Sequence, residues 1–413
     1  MMLLIPLFLS KQMQGFWFTF GSLSALSIFA DLGFTAIVTL FAAHEFAYLR
    51  IGSGGLIEGD PAYLDRLKSF FRFAMKWGIM VVIITFPIIF IVGYLLMSGE
   101  PVLFSWRWPW LVFVCGAGIN FVSNIALSFF EGCGLISKAQ KIRFFANVVY
   151  AFTVIVSLLS GFNLYSIAIG TSFNAIILLI VLLKTFKPAL IQLLAANINP
   201  HPWRKEVFRL LWRYAISWSS GYFIFQLFTP VAFRFYGSAA AGQVGITITL
   251  VTAIFSISNI WMYVANPKLN MYIAKKEWVP LNAYFKKHLL LSAATFILGS
   301  CACLIIFILA PDYKGFKDRF MDVGNVSLLL FAWFLQLIIN SLALYLRAFK
   351  EEPLVIPSLV SAVYLGITTI LIGFFLPSKF IMAGFYTAFF FGMPWVISIF
   401  LKKLKTIKTG NSV

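Results

Sequence analysis

The chain is poor in charge and poorest in acid. Of 413 residues only 14 are Asp or Glu against 32 Lys or Arg, and charged residues together make up 11%, compared with about a quarter in soluble domains. Hydrophobic residues fill 61% of the chain, and the mean hydropathy is +0.93. So little polar surface excludes an ordinary soluble globule and implies a polytopic membrane protein. Histidine and cysteine are scarce as well. His44, His201 and His288 form no His-x-x-x-x-Asp or His-Glu-x-x-His pattern, which removes the chemistry of membrane acyltransferases and metalloproteases. Cys115, Cys133, Cys301 and Cys303 lie in or beside apolar runs without metal-ligand spacing and read as small hydrophobes. No nucleophile–base constellation occurs, so the chain is expected to have no catalytic residues, no metal and no cofactor.

What the chain has is length of apolar run. Eleven runs are long enough to cross a bilayer: Gly15–Ala43, Gly78–Met97, Trp108–Phe130, Phe144–Ser160, Leu164–Leu183, Leu210–Phe233, Gly242–Ala265, Leu289–Leu309, Val326–Leu346, Leu354–Leu376 and Phe380–Leu401. A helix needs roughly 20 residues to span, and Met1–Ser10 is apolar but shorter, without the basic start or small-residue cleavage site of a signal peptide. It reads as the remainder of a curtailed first helix, as a misassigned start codon would leave it. The fold class expected is therefore all-α integral membrane, with about twelve transmembrane helices in two pseudo-symmetric six-helix lobes around a central cavity.

The loops give an orientation. Basic residues crowd alternate loops, from Arg50, Arg66 and Lys76 through Lys138, Lys141 and Arg143 to Lys402, Lys403, Lys405 and Lys408, while loops such as Gly161–Asn163 and Pro377–Lys379 are short and nearly neutral. The excess of Lys and Arg on one side places that side, and the C-terminus, in the cytoplasm. Much of the net charge of +18 is explained by this topology, and no nucleic-acid partner is expected. Asn199-Pro-His-Pro202 is the best break in the chain. It divides an N-terminal lobe, 1–198, from a C-terminal lobe, 208–413, by a cytoplasmic linker, 199–207. Three basic and aromatic segments, Pro61–Lys76, Pro202–Arg213 and Lys275–His288, are expected to lie flat among lipid headgroups.

A repeat links the lobes. Shifting by 216 positions places Asn124 on Asn340, Asn120 on Gln336 and Glu131 on Arg347, and in each copy the three positions fall within roughly 40° on a helix wheel. Two apolar helices half a chain apart thus carry the same polar seam, with the charge reversed at its end. Glu131 and Arg347, with Asn124 and Asn340, are candidates for a cytoplasmic gate between the lobes, solvated loop charge being the plainer alternative. Asp31 is the costliest residue, because a carboxylate at the centre of a membrane helix is unfavourable by about 2.5–3.5 kcal/mol. It shares a helical stripe with Ser24, Ser27 and Thr35 and so faces a polar environment, as a cavity residue or as a helix-end anchor. Arg213, Arg234, Asn259 and Lys268 complete the candidate cavity set. Interfacial snorkelling is the alternative for each arginine.

Three short motifs, Tyr345-Leu-Arg-Ala-Phe-Lys350-x-Glu352-Pro353, Phe130-Glu-Gly-Cys-Gly134 and Phe29-Ala-Asp-Leu-Gly33, resemble those of polysaccharide-biosynthesis flippases. These are the O-antigen and exopolysaccharide repeat-unit translocases of the multidrug/oligosaccharidyl-lipid/polysaccharide exporter superfamily. The resemblance covers essentially the whole chain, with the curtailed first helix as its main departure. It implies alternating access and a polyprenyl-diphosphate-linked glycan as cargo, in a bacterial cytoplasmic membrane. It also implies membrane lipids as partners, together with polymerase and chain-length proteins of the same pathway. Cationic donors for the diphosphate would come from Arg213, Arg234, Lys268 and Arg347, and sugar contacts from groups such as Trp218, Tyr222, Gln226 and Asn259. Two other classes stay open. A multidrug or cation antiporter of the same superfamily would need buried carboxylates, for which Asp31 and Glu131 are the candidates. A membrane enzyme of the polysaccharide pathway would need a large outer loop, and the longest, Pro311–Gly324, is short.

Overall fold

The computed structural model describes residues 4–195, 201–309, 315–349 and 353–408. Apart from one small hairpin, its regular structure is helical. The chain folds as two compact units, 3–219 and 220–413, leaving aside the two terminal residues.

Unit 1 begins with a helical turn, α1 (Ile5–Phe8), and then a helix in pieces: α2 (Lys11–Ser24), a 3-10 turn, α3 (Ile28–Asp31) and α4 (Phe34–Phe46). The sequence reads these pieces as one run, yet the axis bends by 44° between Lys11–Asp31 and Phe34–Phe46. Leu32 (φ 47°) and Gly33 (φ 80°) both take the left-handed conformation there. After α4 comes a hairpin of β1 (Leu49–Ile51) and β2 (Ile57–Gly59), antiparallel with Leu49 opposite Gly59. The sequence reading treated this stretch as loop. Its register depends on Gly59 at φ 140°, where a Cβ would lie 2.6 Å from the Tyr48 carbonyl oxygen. Helices α5 (Pro61–Met97), α6 (Arg107–Gly132), α7 (Ile136–Leu159), α8 (Tyr165–Thr185) and the short α9 (Lys187–Leu194) follow. The Gln192 side chain holds the hairpin to α9: it accepts from the Ile57 N–H and donates to the Ile57 carbonyl, both at 2.8 Å. An amide thus substitutes for a third strand on β2.

Helix α10 (Trp203–Phe225) crosses from one unit to the other. Trp203, Val207 and Leu211 are buried in the core of unit 1, with Phe34, Phe70, Phe71, Phe129 and Phe130. The Arg66 guanidinium lies 5.0 Å over the Trp203 ring while donating two hydrogen bonds, of 2.8 and 2.9 Å, to Glu45. The buried Glu45 carboxylate is tolerable here because the partly exposed Arg66 pairs with it through both donors, and the cation also faces a ring. Unit 2 continues with α11 (Phe228–Ala274), interrupted at Gly237 (φ 84°, ψ 174°), then α12 (Trp278–Leu309), α13 (Val323–Arg347), α14 (Val355–Phe375) and α15 (Ala383–Lys408). Its inner core gathers Met262, Leu281, Phe285, Tyr345 and Val396, and the Tyr345 hydroxyl is satisfied by Asn282 Oδ1 at 2.9 Å.

Among the described residues, nine helical stretches, or ten with the bent pair, are long and apolar enough to cross a membrane; one of them, Trp218–Ile273, has 56 residues. The eleven apolar runs read from the sequence fall mainly on helix, with Gly15–Ala43 broken at Leu32–Gly33 and Leu210–Phe233 divided between α10 and α11. Exposed Ile83, Leu95, Phe152, Leu298 and Phe374, each at least 65% accessible, are what hydrocarbon would cover. One expectation is corrected. Pro61–Lys76, the described part of Pro202–Arg213 and Lys275–His288 are not separate in-plane helices, because α5, α10 and α12 run on unbroken from within each into the apolar stretch. No helix breaker follows the basic turns, so the helix propagates.

Candidate functional site

The bend in the first long helix of unit 1 opens a cavity of about 650 Å³ between α2–α4 on one side and α6, α7 and α8 on the others. Asp31 sits at the bend. With Leu32 and Gly33 left-handed, α4 must start afresh, and its first N–H groups need acceptors. Asp31 supplies one: Oδ1 accepts from the Thr35 N–H at 3.1 Å, and Oδ2 accepts from the Thr35 hydroxyl at 3.0 Å. The carboxylate, 9% exposed, therefore caps the new helix from within the wall of the cavity. Ser24, Ser27 and Thr35 line the same wall, which places together the whole stripe that the sequence singled out.

Across from Asp31 the wall is built of amides. Asn120 and Asn124 come from α6, Asn147 with Tyr150 from α7, and Thr171 with Asn174 from α8. Asn174 Nδ2 donates to Asn147 Oδ1 at 3.3 Å. Asn124 Nδ2 donates back to the Asn120 carbonyl at 2.9 Å, and its Oδ1 accepts from Arg143 Nε at 3.0 Å. Asn120 Oδ1 is buried and, among the described residues, has no hydrogen-bond partner. A buried unpaired amide oxygen is unfavourable unless a ligand or water supplies a donor.

Arg143 is the organising residue that sequence reasoning missed, having counted it only as a loop charge. Besides Asn124 it donates to Glu131 Oε1 and, at 3.4 Å, to the Ser128 hydroxyl; Gln140 donates to the same Glu131 oxygen at 2.7 Å. One guanidinium thus fastens α7 to three positions of α6. The signal was present: Asn124, Ser128 and Glu131 repeat at helical spacing on an apolar helix, and such a stripe calls for a donor on its neighbour. Asn147 and Asn174 were equally visible as lone amides in apolar runs.

The other sequence candidates are dispersed. Asn259, buried on α11, accepts from Asn340 Nδ2 of α13 at 3.1 Å, so unit 2 joins one cavity candidate to one gate candidate. Lys268 is exposed and lies 4.8 Å over the Tyr284 ring and 5.7 Å over that of Tyr272. Arg234 is exposed just before the Gly237 interruption, and Arg347 is exposed at the end of α13. The side chain of Arg213 lies outside the described residues. Among the described residues Asp31 is the one carboxylate lining the cavity of unit 1.

No family model matches the chain, and no curated protein matches it. Solved structures do. A multidrug resistance MATE family transporter of the MOP superfamily in its inward-facing conformation superposes with a TM-score of 0.63 at 13% identity, covering 98% of this chain and 96% of the other. An outward-facing structure described in the same words gives 0.52 at 14% identity over 100% and 88%, and a MATE protein in a bent conformation 0.51 at 14% over 99% and 95%. At such identity the likeness is one of fold. The fold is one that these membrane transporters share.

Proposed function

We propose that the protein moves a polyprenyl-diphosphate-linked oligosaccharide across a bacterial cytoplasmic membrane by alternating access, with its C-terminus on the cytoplasmic side. The observation that carries this reading is the cavity wall of unit 1. Four asparagines, two serines, two threonines and a tyrosine surround about 650 Å³ with one carboxylate among them. Sugar hydroxyls both donate and accept, and amides and hydroxyls answer them in both senses. A lipophilic cation calls for apolar and aromatic walls with acidic anchors; Ile28, Phe113, Phe121 and Ile167 supply such wall here, but among the described lining residues Asp31 is the one acid. The polymerase and chain-length proteins of surface polysaccharide synthesis are the partners such a transporter serves.

A second reading, export of drugs or cations, is favoured by Asp31, a buried carboxylate on the cavity, and by the multidrug transporters that share the fold. The two separate in reconstituted vesicles. Transfer of fluorescent lipid-linked oligosaccharide between leaflets is expected, and Asn120→Leu is expected to slow it about tenfold, the equivalent of one lost hydrogen bond to a ligand. Proton- or sodium-driven uptake of a cationic dye with no oligosaccharide transfer would establish the second reading instead.

A further inference from the structure

The outer side of α6 carries a second hollow. Between α5 and α6, with Leu179 of α8 also in its lining, lies a groove of about 640 Å³ whose walls are apolar apart from the Ser123 hydroxyl and the Cys115 thiol. Two residues shape it. Pro87 interrupts the hydrogen bonding of α5 in mid-helix and leaves the Ile83 carbonyl without its helical donor. Gly118 lets the helices approach: a Cβ there would sit 3.1 Å from Val82 Cγ1 and 3.5 Å from the Phe86 ring. The groove opens past Ile83, Cys115 and Ile119, all exposed, on helices that cross the membrane. Hydrocarbon is what surrounds it.

The groove and the polar cavity lie on opposite faces of the same stretch of α6. Ala117, Asn120 and Asn124 face the cavity, whereas Cys115, Gly118 and Ile119 face the groove. At one edge a pair of rings bridges them. Phe121 lines the cavity, Phe86 lines the groove, and their centroids are 5.9 Å apart in an edge-on arrangement. Hydrogen-bonding wall and hydrocarbon-lined slot thus meet at matching depth across one aromatic contact.

We propose that the α5–α6 groove holds the hydrocarbon chain of the same amphiphile whose polar head occupies the cavity, and that the Phe86–Phe121 pair is the partition between head and chain. This rests on the reading of the cargo as a lipid-linked oligosaccharide. The apolar slot removes the chain from the amide-bearing cavity, where burying hydrocarbon against amides would leave the amides unsatisfied.

Photo-labelling of the full chain in nanodiscs tests it. One probe is a polyprenyl diphosphate carrying a single sugar, with a diazirine in the prenyl chain; the other is a bilayer phospholipid with a diazirine in its acyl chain. The prenyl probe is expected to label Ile83, Cys115 and Ile119 in preference to other exposed positions of α5 and α6, about tenfold above the phospholipid probe. Cys115→Trp, which fills the groove from its open side, is expected to remove that preference, while Leu95→Trp, exposed on α5 outside the groove, keeps it. Ile119→Trp gives the same reading should Cys115→Trp fold poorly. Equal labelling by the two probes overturns the proposal, because the groove then holds bulk lipid only. Labelling is read without transport, so vesicles that transfer the oligosaccharide with no groove labelling overturn the chain site alone.

Discussion

Arg143 is mostly buried and holds three acceptors at once, a geometry that a planar guanidinium fits and an ammonium does not. Removing it leaves the Glu131 carboxylate, 13% exposed at its side chain, without its ion partner, and Asn124 Oδ1 without its donor. Arg143→Ala is therefore expected to destabilise the protein by about 2–4 kcal/mol, read as a lowered thermal midpoint in detergent, with Arg143→Lys recovering less than half. Glu131 has a second proposed role as a gate with Arg347. If that role is real, the effects of Glu131→Gln and Arg347→Gln on transport rate do not add in the double variant; simple additivity removes it. The sequence made Glu131 legible as a charge on a polar seam but could not show which cation it answers. Basic residues crowd that side of the membrane, and only the packing of α7 on α6 selects Arg143.

At the scale of elements, the informative features are where helices stop. The run from Gly15 to Ala43 is predominantly apolar, with Asp31 its one charge, and periodicity alone gives one straight helix; the bend comes from two consecutive left-handed residues, a backbone choice that composition barely marks beyond Gly33. Gly33→Ala sets a Cβ in that conformation and is expected to lower stability by about 1–2 kcal/mol, with Gly33→Asn milder, since Asn tolerates it better. Thermal unfolding of the two variants side by side decides this. The hairpin at Leu49–Gly59 was illegible for a related reason: each strand has three residues, too few for an alternating pattern, and its second strand is completed by a glutamine side chain from α9. Asp322 caps α13 by accepting from the Asn325 N–H at 3.1 Å and from Asn325 Nδ2 at 2.6 Å, and these donors hold its carboxyl below the usual range. A depressed folded-state value gives stabilisation that is complete above the unfolded value of about 3.9 and is lost as pH falls through the folded one. The thermal midpoint of wild type is thus expected to exceed that of Asp322→Ala near neutral pH, with the gap shrinking as pH is lowered below about 4.

Across the whole molecule the repeat proves to be structural. Shifted by 216, Arg107–Gly132 becomes 323–348, against Val323–Arg347 for α13; Pro61–Met97 becomes 277–313, against Trp278–Leu309 for α12; and Lys11, where the bent helix starts, becomes 227, one residue before α11 at Phe228. A polar seam on two helices was enough to find this offset, because polar positions in a membrane helix are few and each is expensive. The same shift places Asp31 on Thr247. Thr247 bonds its own helix through the Gln243 carbonyl at 2.7 Å and accepts from the Met321 N–H at 3.1 Å, so the second copy spends no charge there. What diverged between the copies is the chemistry of the wall, which internal symmetry cannot reveal. The repeat does constrain orientation. An offset that carries five helices of one unit onto five of the other keeps their direction through the membrane only if an even number of crossings separates the copies, and the alternating basic loops require the same. In a variant freed of its four cysteines, Phe162→Cys and Lys379→Cys are expected to react with an impermeant maleimide added outside intact cells. Lys138→Cys and Lys403→Cys are expected to react only after the membrane is opened. Labelling of Phe162→Cys and Lys403→Cys from the same side would break the alternation, and with it the assignment of the C-terminus to the cytoplasm.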